Sequence, residues 1–307
     1  MEIDEVVASL AAWRDRAVEV EPLAGGLTNR NYAVTVDGVR SFVRLPGADT
    51  GLLAVDRRNE LANTRAAAST GVGAPVLDAL PEHGVIVLGW IDGTTMSNEL
   101  LAAPGMPDRV AASLRRLHAG GRFLTDFDMF RLSERYLRVV DERGFPVPAG
   151  YRERLGKLPE LEDALAVHRP PSVPCHNDLL AENYIDDGSL RIVDYEYSGN
   201  NDPAFELGNT CQELGWEGER LEALCAAYYG EATEARLARM RLQMIMSDVG
   251  WTLWAAIQAR ISAIDFDFWG WAEERWGRAV EVLDSDRLVD WLRDVRAGAR
   301  GPFSQAS

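Results

Sequence analysis

The sequence predicts an α+β protein of two lobes, in which a small antiparallel sheet forms the N-terminal lobe and a larger, mainly helical lobe follows. The chain has 307 residues, which is long for one hydrophobic core. Short β-branched and aromatic segments around Asp37-Gly38 precede residue 89, and helical periodicity dominates beyond it. We therefore predict one lobe at residues 1–89 and a second at residues 90–307.

The N-terminal lobe is predicted to contain a β-hairpin, a helix and a further strand. Residues 31–36 and 40–45 are the hairpin strands, because Asp37-Gly38 between them is typical of a two-residue turn. Residues 55–70 have a helical pattern that stops at Gly71. Residues 85–88 are uniformly apolar, as expected of a buried strand.

The C-terminal lobe is predicted to be helical on both sides of one polar segment. Val110, Leu114 and Leu117 recur at helical spacing, and we expect Asp108 to cap that helix. Two short strands, residues 183–185 and 190–193, flank a turn, and the chain is helical from residue 206 to about residue 297.

Composition and charge narrow the class of protein. Hydrophobic residues make up 47% and charged residues 26%, which excludes a disordered chain, and no apolar run is long enough to enter and span a membrane. Three cysteines are too few for a disulfide framework or a zinc site, so we expect a cytoplasmic protein. Thirty-two basic against 48 acidic residues give a net charge of −16, which repels nucleic acid and attracts a small cationic ligand. The alternative is that the negative net charge only keeps the protein soluble.

Three polar side chains follow one another between His176 and Glu196. Asp178 and Asn183 lie five residues apart, and Asp194 ends an apolar strand eleven residues later. This order suits phosphoryl transfer, in which one aspartate orients and deprotonates the accepting hydroxyl while an asparagine and a second aspartate bind Mg²⁺. The alternative is an ordinary turn capped by Asp and Asn. We expect His176 to fix the loop through backbone hydrogen bonds, with direct catalysis as the alternative.

These residues resemble the signature of a known superfamily. Residues 176–183 (HNDLLAEN) and 193–196 (VDYE) are similar to the patterns His-x-Asp-x-x-x-x-Asn and Ile/Val-Asp-Phe/Tyr-Glu of the choline kinase and aminoglycoside phosphotransferase superfamily. The likeness extends from about residue 22 to residue 276. It implies a bilobal protein-kinase-like fold and a kinase that uses ATP and Mg²⁺, with Asp178 as the catalytic base and Asn183 and Asp194 as the metal ligands.

The nucleotide loop is predicted directly before the hairpin. Two glycines allow the backbone to approach a phosphate, and two polar residues follow; the four are Gly25, Gly26, Thr28 and Asn29. Two glycines between strands are also typical of an ordinary turn. The segment nevertheless resembles the Gly-Gly-x-Ser/Thr-Asn loop of the superfamily, which implies nucleotide binding.

An arginine is predicted to bind the phosphates. The only lysine, Lys157, lies far from the N-terminal lobe, and Arg44 on the second hairpin strand stands where choline kinases, by the same resemblance, have arginine. Glu60 on the following helix is expected to orient Arg44. The backbone around Leu88 and Trp90 is expected to hydrogen-bond the adenine edge as a hinge.

The acceptor is predicted to be choline or a choline-like amino alcohol. A trimethylammonium group donates no N–H hydrogen bonds, and aromatic faces each contribute roughly 0.5–2 kcal/mol to binding such a cation. Trp251 and Trp254 are three residues apart on a predicted helix, so both rings face one side, and the segment resembles the Trp-x-x-Trp helix of choline kinases. The resemblance implies a substrate-binding set of Glu196, Tyr197, Glu213, Trp251, Trp254 and Trp271.

Three alternatives stay open at this point. A tryptophan pair at helical spacing also serves core packing. The superfamily includes kinases for ethanolamine, aminoglycosides, thiamine and sugars, so the fold does not decide the acceptor. A non-catalytic nucleotide-binding module of the same architecture is the third alternative, against which the intact Asp178, Asn183 and Asp194 argue.

Overall fold

The N-terminal part of the chain is built on one five-stranded sheet. The structure is a computed structural model that describes residues 1–23, 26–47 and 51–298. The strands are β1 (Val18–Leu23), β2 (Asn29–Val36), β3 (Val39–Pro46), β4 (Val76–Leu80) and β5 (Val85–Gly89). Two helices accompany them, α1 (Ile3–Ser9) and α2 (Arg57–Ser69), with short 3-10 turns at Ala11–Trp13 and Pro81–His83.

The sheet is antiparallel throughout, in the order β1-β2-β3-β5-β4. The turn between β2 and β3 is the predicted Asp37-Gly38, and both residues have positive φ angles, 49° and 81°, as a type I′ turn requires. Alternate residues of β5 pack on opposite faces: Val85 and Val87 join the core beneath α1, and Ile86 and Leu88 join a smaller core beneath α2. The sheet is therefore covered on both faces.

The remainder of the described chain is mainly helical. Its helices are α3 (Asn98–Leu101), α4 (Met106–His118), α5 (Met129–Arg143), α6 (Tyr151–Arg154), α7 (Leu158–Ala166), α8 (Pro203–Leu214), α9 (Glu219–Tyr229), α10 (Glu234–Ile261), α11 (Phe268–Leu283) and α12 (Asp286–Ala297). Short strands lie among them, β6 (Thr94–Thr95), β7 (Val173–Cys175), β8 (Tyr184–Asp186), β9 (Leu190–Ile192) and β10 (Gly199–Asn201), with 3-10 turns at Leu155–Lys157 and Ala181–Asn183.

Helix α10 is the centre of this helical part. Its residues are buried almost continuously from Arg236 to Gln258, and it contacts α5, α8, α11 and α12. A helix that is buried on all sides is part of a core and is not an amphipathic surface element. Helix α10 also carries Trp251 and Trp254. The two tryptophans that are predicted to bind the acceptor therefore lie on a helix that is buried along most of its length.

The predicted fold class is confirmed, with small differences at element ends. The helix predicted at 55–70 is α2, and Asp56 caps it by accepting the backbone N–H groups of Arg58 and Asn59. Asp108 was predicted to cap its helix, which is wrong, because α4 begins two residues earlier at Met106 and a proline follows in its first turn. The lobe division at residue 89 stays a prediction.

None of the described helices combines the length and the apolar character that crossing a membrane demands.

Candidate active site

Asp178 lies in a loop between β7 and the 3-10 turn Ala181–Asn183. The loop is held by Glu206 of α8, which is fully buried and whose carboxylate accepts the backbone N–H groups of His176 and Asn177, each at 2.7 Å. Asn177 has a φ of 71°, a left-handed conformation that asparagine adopts more readily than most residues. Glu206 therefore fixes the backbone directly before Asp178.

His176 and Asn183 connect the loop of Asp178 with the segment of Asp194. The backbone N–H of Asp178 donates to Nδ1 of His176 at 3.3 Å, and Nε2 of His176 donates to the Val193 carbonyl at 2.8 Å. The side-chain amide of Asn183 donates to the Asp178 carbonyl at 2.8 Å, and the Asn183 carbonyl accepts the N–H of Val193 at 3.0 Å. Burial lowers the pKa of His176, which favours the neutral ring that can accept at Nδ1. These contacts agree with the loop-fixing role expected of His176.

Asp194 stands in an unusual local environment. Its backbone has a φ of 69°, and its Oδ1 is buried with no hydrogen-bond partner in the described part of the chain. Burial, followed by the neighbouring charge of Glu196, raises the pKa of Asp194 to about 6, while Arg44 and Arg57 oppose the rise. A solvent-exposed aspartate has a pKa near 3.9, so the surroundings of Asp194 in the folded protein destabilise its ionised form.

Three carboxylates and two guanidinium groups meet beside Asp194. Carboxylate oxygens of Glu60, Asp194 and Glu196 lie within 4.8 Å of one another. Arg44 of β3 is paired with Glu60 and lies 3.9 Å from Asp194. Arg57 donates to Glu60 at 2.9 Å and to Glu196 at 3.2 Å. Two positive against three negative charges leave one negative charge, an arrangement that suits a divalent cation bound by oxygen.

Arg57 was not predicted from the sequence. Its position three residues before Glu60, on the same face of α2, was the available signal. The structure gives it a larger role than a helix-surface pair, because Nη2 of Arg57 also donates to Oδ1 of Asn29 at 2.7 Å. Arg57 thus links α2 with Asn29 of the predicted nucleotide loop and with Glu196, two residues after Asp194.

The Arg44–Glu60 pair is buried, with side chains 5% and 2% exposed, so breaking it should destabilise the protein. We expect Arg44→Met to lower the free energy of unfolding by roughly 3 kcal/mol, the low end for a broken buried pair, because Arg57 still pairs with Glu60. Urea denaturation measures this change. Arg30→Met, which breaks an exposed pair with Glu2, is the control and should change the stability little. Equal effects of the two substitutions would contradict the prediction.

The described part of the predicted nucleotide loop is anchored on Glu196. The hydroxyl of Thr28 donates to Glu196 at 2.6 Å, and the side-chain amide of Asn29 donates to it at 3.0 Å. Gly26 has a φ of 90°, and a Cβ at this position would lie 3.0 Å from the Asn31 amide nitrogen, so a side chain would be strained. Gly25 lies outside the described residues.

Glu196 therefore occupies a different place from the one predicted. It was grouped with the substrate-binding aromatic residues, but its carboxylate contacts Thr28 and Asn29 of the predicted nucleotide loop and Arg57 of α2. The neighbouring Tyr197 does point into the aromatic cluster. The two side chains leave the backbone in different directions, and motif similarity alone does not distinguish them.

The predicted hinge residues stand at the end of β5, on either side of Gly89. Leu88 is buried and packs in the same small core as Leu61 of α2. The ring of Trp90 lies 3.8 Å from the guanidinium carbon of Arg40. Their contact with an adenine ring stays a prediction.

Four predicted substrate-binding rings form one contiguous cluster. The ring centroids of Trp251 and Trp254 are 6.4 Å apart, that of Tyr197 is 4.9 Å from Trp251, and that of Trp271 is 5.8 Å from Trp254. The indole N–H of Trp254 donates to the Tyr197 hydroxyl at 2.6 Å. All the pairs are edge-to-face, the geometry that aromatic quadrupoles favour.

Two further aromatic residues, which sequence analysis missed, extend the cluster towards solvent. The ring of Phe268 lies 5.9 Å from Trp254, and the ring of Phe266 lies 5.7 Å from Trp271. Phe266 is 44% exposed, so it marks the side on which the cluster opens. Their closeness to Trp271 in the sequence was the signal available.

Glu213 was predicted to attract the substrate cation, but the structure gives it an internal partner. Its two carboxylate oxygens accept hydrogen bonds from Arg275 of α11 at 2.7 and 2.6 Å, and both side chains are buried. The guanidinium of Arg275 also stacks 3.9 Å from the centroid of Trp271 and lies 3.7 Å from Asp248. Glu213 is thus largely neutralised by Arg275, a residue that sequence analysis did not single out.

Asp178 is affected by the charges beside Asp194 and by those of the Glu213–Arg275 pair. Burial raises the pKa of Asp178 well above its usual range, and the charges of Glu213, Glu196 and Asp194 add to the rise, while Arg275 opposes it. A carboxylate with a raised pKa is a stronger proton acceptor than a solvated one. The role of Asp178 as the general base stays a prediction.

Comparison with known proteins places this site in a wider context. The model of the phosphotransferase enzyme family matches residues 19–243, which is most of the chain. A crystal structure described as a choline/ethanolamine kinase family protein from Mesorhizobium loti is 34% identical, with a TM-score of 0.83, and the match covers 97% of this chain and all of the other.

Curated relatives point the same way. Ethanolamine kinase 2 of Rattus norvegicus is 29% identical over 302 residues, covering 88% of this chain and 77% of its own length. Protein LicA of Haemophilus influenzae is 28% identical over 277 residues, covering 85% of this chain and 78% of its own length. Each match spans more than four fifths of this chain and more than three quarters of the relative.

Proposed function

Because the chain belongs to the phosphotransferase enzyme family and, within it, to the choline/ethanolamine kinase family, we propose that it transfers the γ-phosphoryl group of ATP to the hydroxyl of a small amino alcohol. The observation that supports this most directly is the hydrogen-bonded network joining Asp178, Asn183 and the Asp194 segment next to Arg44. A non-catalytic module has no need to keep this set together.

Asp178 is proposed to act as the general base. It accepts the proton of the acceptor hydroxyl while that oxygen forms a bond to the γ-phosphorus and the bond from phosphorus to the bridging oxygen breaks, releasing ADP. Assistance of this kind typically contributes about 10²- to 10⁴-fold to a rate. Its partly buried position and raised pKa support this role, as does the fixing of the preceding backbone by Glu206.

Arg44 is proposed to bind the ATP phosphates, with Glu60 orienting it. Nε and Nη2 of Arg44 are buried and have no hydrogen-bond partner among the residues that the structure describes. Burial lowers the pKa of Arg44 to about 10, so it stays cationic at neutral pH. A planar guanidinium with free N–H groups suits phosphate oxygens. Gly26, Thr28 and the hinge around Leu88 complete the proposed nucleotide side.

Asn183 and Asp194 are proposed to hold Mg²⁺, and their donor atoms fit it. Oδ1 of Asp194 has no partner in the described part of the chain, and the Asn183 amide nitrogen is bonded to the Asp178 carbonyl, which leaves Oδ1 of Asn183 for another contact. Mg²⁺ prefers oxygen ligands such as these. When bound, the ion neutralises charge on the phosphates. Glu60 and Glu196 add two further carboxylates beside Asp194.

The aromatic cluster is proposed to receive the ammonium group of the acceptor. Trp251, Trp254, Trp271 and Tyr197 contact one another edge to face, and Phe266 lies where the cluster opens. The net charge of −16 also draws a cation towards the protein. Choline satisfies both features, and ethanolamine, the acceptor in the name of the rat relative, is the close alternative.

An acceptor panel tests the proposed function. The purified protein, with ATP and MgCl₂, is assayed for ADP release in the presence of choline, ethanolamine, thiamine, a hexose or kanamycin. We expect acceptor-dependent ADP release with choline or ethanolamine, at a kcat/KM at least about tenfold above that for the others. A cation–π contact contributes roughly 0.5–2 kcal/mol to binding, and about 1.4 kcal/mol corresponds to a tenfold change. ADP release that depends on kanamycin alone would assign a different acceptor, and none with any acceptor would contradict the proposal.

A further inference from the structure

One hydrogen bond connects the nucleotide loop directly with the acceptor helix. The side-chain amide of Gln258 on α10 donates to the backbone carbonyl of Leu27 at 2.9 Å. Gln258 is 3% exposed and lies one helical turn beyond Trp254, on the most buried part of α10. The side chain of Leu27 packs against the core that contains Trp251 and Trp254. The loop is therefore held from the acceptor side as well as by Glu196.

The bond determines which way a peptide group of the loop faces. In a trans peptide the C=O and the following N–H point in opposite directions, so fixing the Leu27 carbonyl towards Gln258 directs the N–H of Thr28 away from α10. The Thr28 N–H has no hydrogen-bond acceptor among residues 1–23, 26–47 and 51–298. The next peptide is fixed too, because the Thr28 carbonyl accepts the N–H of Gly47 at 3.1 Å.

The Thr28 side chain is likewise held. Its hydroxyl donates to Glu196 at 2.6 Å, and Glu196 belongs to the carboxylate group that includes Asp194. A backbone N–H that is fixed in direction and has no acceptor within the described residues is a ready donor to a phosphate oxygen. Preorganising such a donor before the nucleotide arrives avoids the cost of ordering the loop on binding.

We infer that Gln258 is a positioning residue for phosphoryl transfer: it orients the Leu27–Thr28 peptide so that the Thr28 N–H binds a phosphate of ATP, and it ties that loop to the helix that binds the acceptor. The inference rests on the proposed function. It assigns to a buried amide on the acceptor helix an effect on the nucleotide, which a purely structural hydrogen bond would not have.

The substitution Gln258→Met removes the donor and nearly preserves the volume, so the Leu27 carbonyl is free to turn and the Thr28 N–H loses its fixed direction. We expect binding of ATP to weaken about 3- to 10-fold, the equivalent of one hydrogen bond, and kcat to fall by a similar factor. Binding of adenosine, which has no phosphate, should be unchanged. Titration calorimetry with the non-hydrolysable analogue AMP-PNP and with adenosine measures both.

The matched control is Gln243→Met, on the same helix. Gln243 is also buried, and its side chain makes no hydrogen bond within the described residues, so the substitution should leave the affinities for AMP-PNP and adenosine unchanged. Gln258→Asn provides a second variant, since it keeps an amide that is one methylene too short, and it should weaken binding of AMP-PNP and spare adenosine in the same way. It replaces Gln258→Met if the latter does not fold.

The outcomes separate this inference from the proposed function. If the wild-type protein phosphorylates an amino alcohol but the Gln258 variants bind AMP-PNP as well as it does, or lose AMP-PNP and adenosine equally, the inference is wrong and the proposed function stands. If the wild-type protein neither binds AMP-PNP nor releases ADP, both are overturned. Selective loss of phosphate-dependent affinity in the Gln258 variants alone supports the inference.

Discussion

The Asp178→Asn variant is expected to bind ATP as the wild-type protein does and to lose turnover by at least about 10²- to 10⁴-fold. The amide cannot accept the proton of the acceptor hydroxyl, yet it occupies nearly the same volume. The backbone around it is held independently, by Glu206 through His176 and Asn177 and by Asn183 through the Asp178 carbonyl. Steady-state kinetics with the preferred acceptor measures kcat, and calorimetric titration with ATP measures the affinity.

A matched control is available a few residues away. Asp186 of β8 is partly exposed and forms a bidentate pair with Arg109, outside the proposed site. Asp186→Asn makes the same chemical change and should leave kcat within about twofold of the wild-type value. Turnover by Asp178→Asn at the wild-type rate would remove Asp178 from the mechanism. Loss of ATP affinity together with turnover would point instead to a collapsed loop.

The Trp254→Ala variant is expected to raise the KM for the amino alcohol by roughly 5- to 30-fold, because it removes one aromatic face from the cation site. It also leaves the Tyr197 hydroxyl without its indole donor and opens the cluster between Trp251 and Trp271. The KM for ATP should change little, since Trp254 contacts neither Arg44 nor Asp194. Kinetics at varied acceptor and at varied ATP separate the two constants.

Stability must be measured beside this variant, because deleting a buried tryptophan side chain typically costs about 3–5 kcal/mol. Trp254→Phe is the informative companion, since it keeps an aromatic face and loses only the N–H that donates to Tyr197. We expect its KM to lie between those of the wild-type protein and Trp254→Ala. Trp291→Ala on α12, away from the cluster, controls for tryptophan loss. An unchanged acceptor KM in Trp254→Ala would mean that these rings serve core packing alone.

Local patterns in the chain were enough to predict several features. Asp37-Gly38 allows both turn residues a positive φ, so the hairpin and its register follow from two adjacent residues. The spacing of Asp178 and Asn183 similarly predicts that they lie close together, because a segment of five residues limits the distance between its ends. In the structure the Asn183 amide donates to the Asp178 carbonyl. Gly71 marks the helix end within two residues for the same local reason.

Contacts between distant segments were less accessible. The phosphate-binding role of Arg44 was predicted by elimination and by resemblance, yet the burial of its pair with Glu60 and the presence of Arg57 beside it depend on how α2 docks on the sheet. A sequence pattern reports which face of an element is apolar, but it does not report which charge on a neighbouring element that face meets.

The sequence by itself determined the chemistry: an aspartate, an asparagine and a second aspartate at fixed spacing, and a tryptophan pair on one helix. Only the tertiary structure decided the partners, turning Glu196 to the nucleotide loop, giving Glu213 to Arg275, and placing Gln258 on the Leu27 carbonyl. The physical reason is range. Spacing within a loop or helix determines the distance between side chains that are a few residues apart. The partner of a charged or amide side chain, by contrast, depends on which distant segments the fold packs against it.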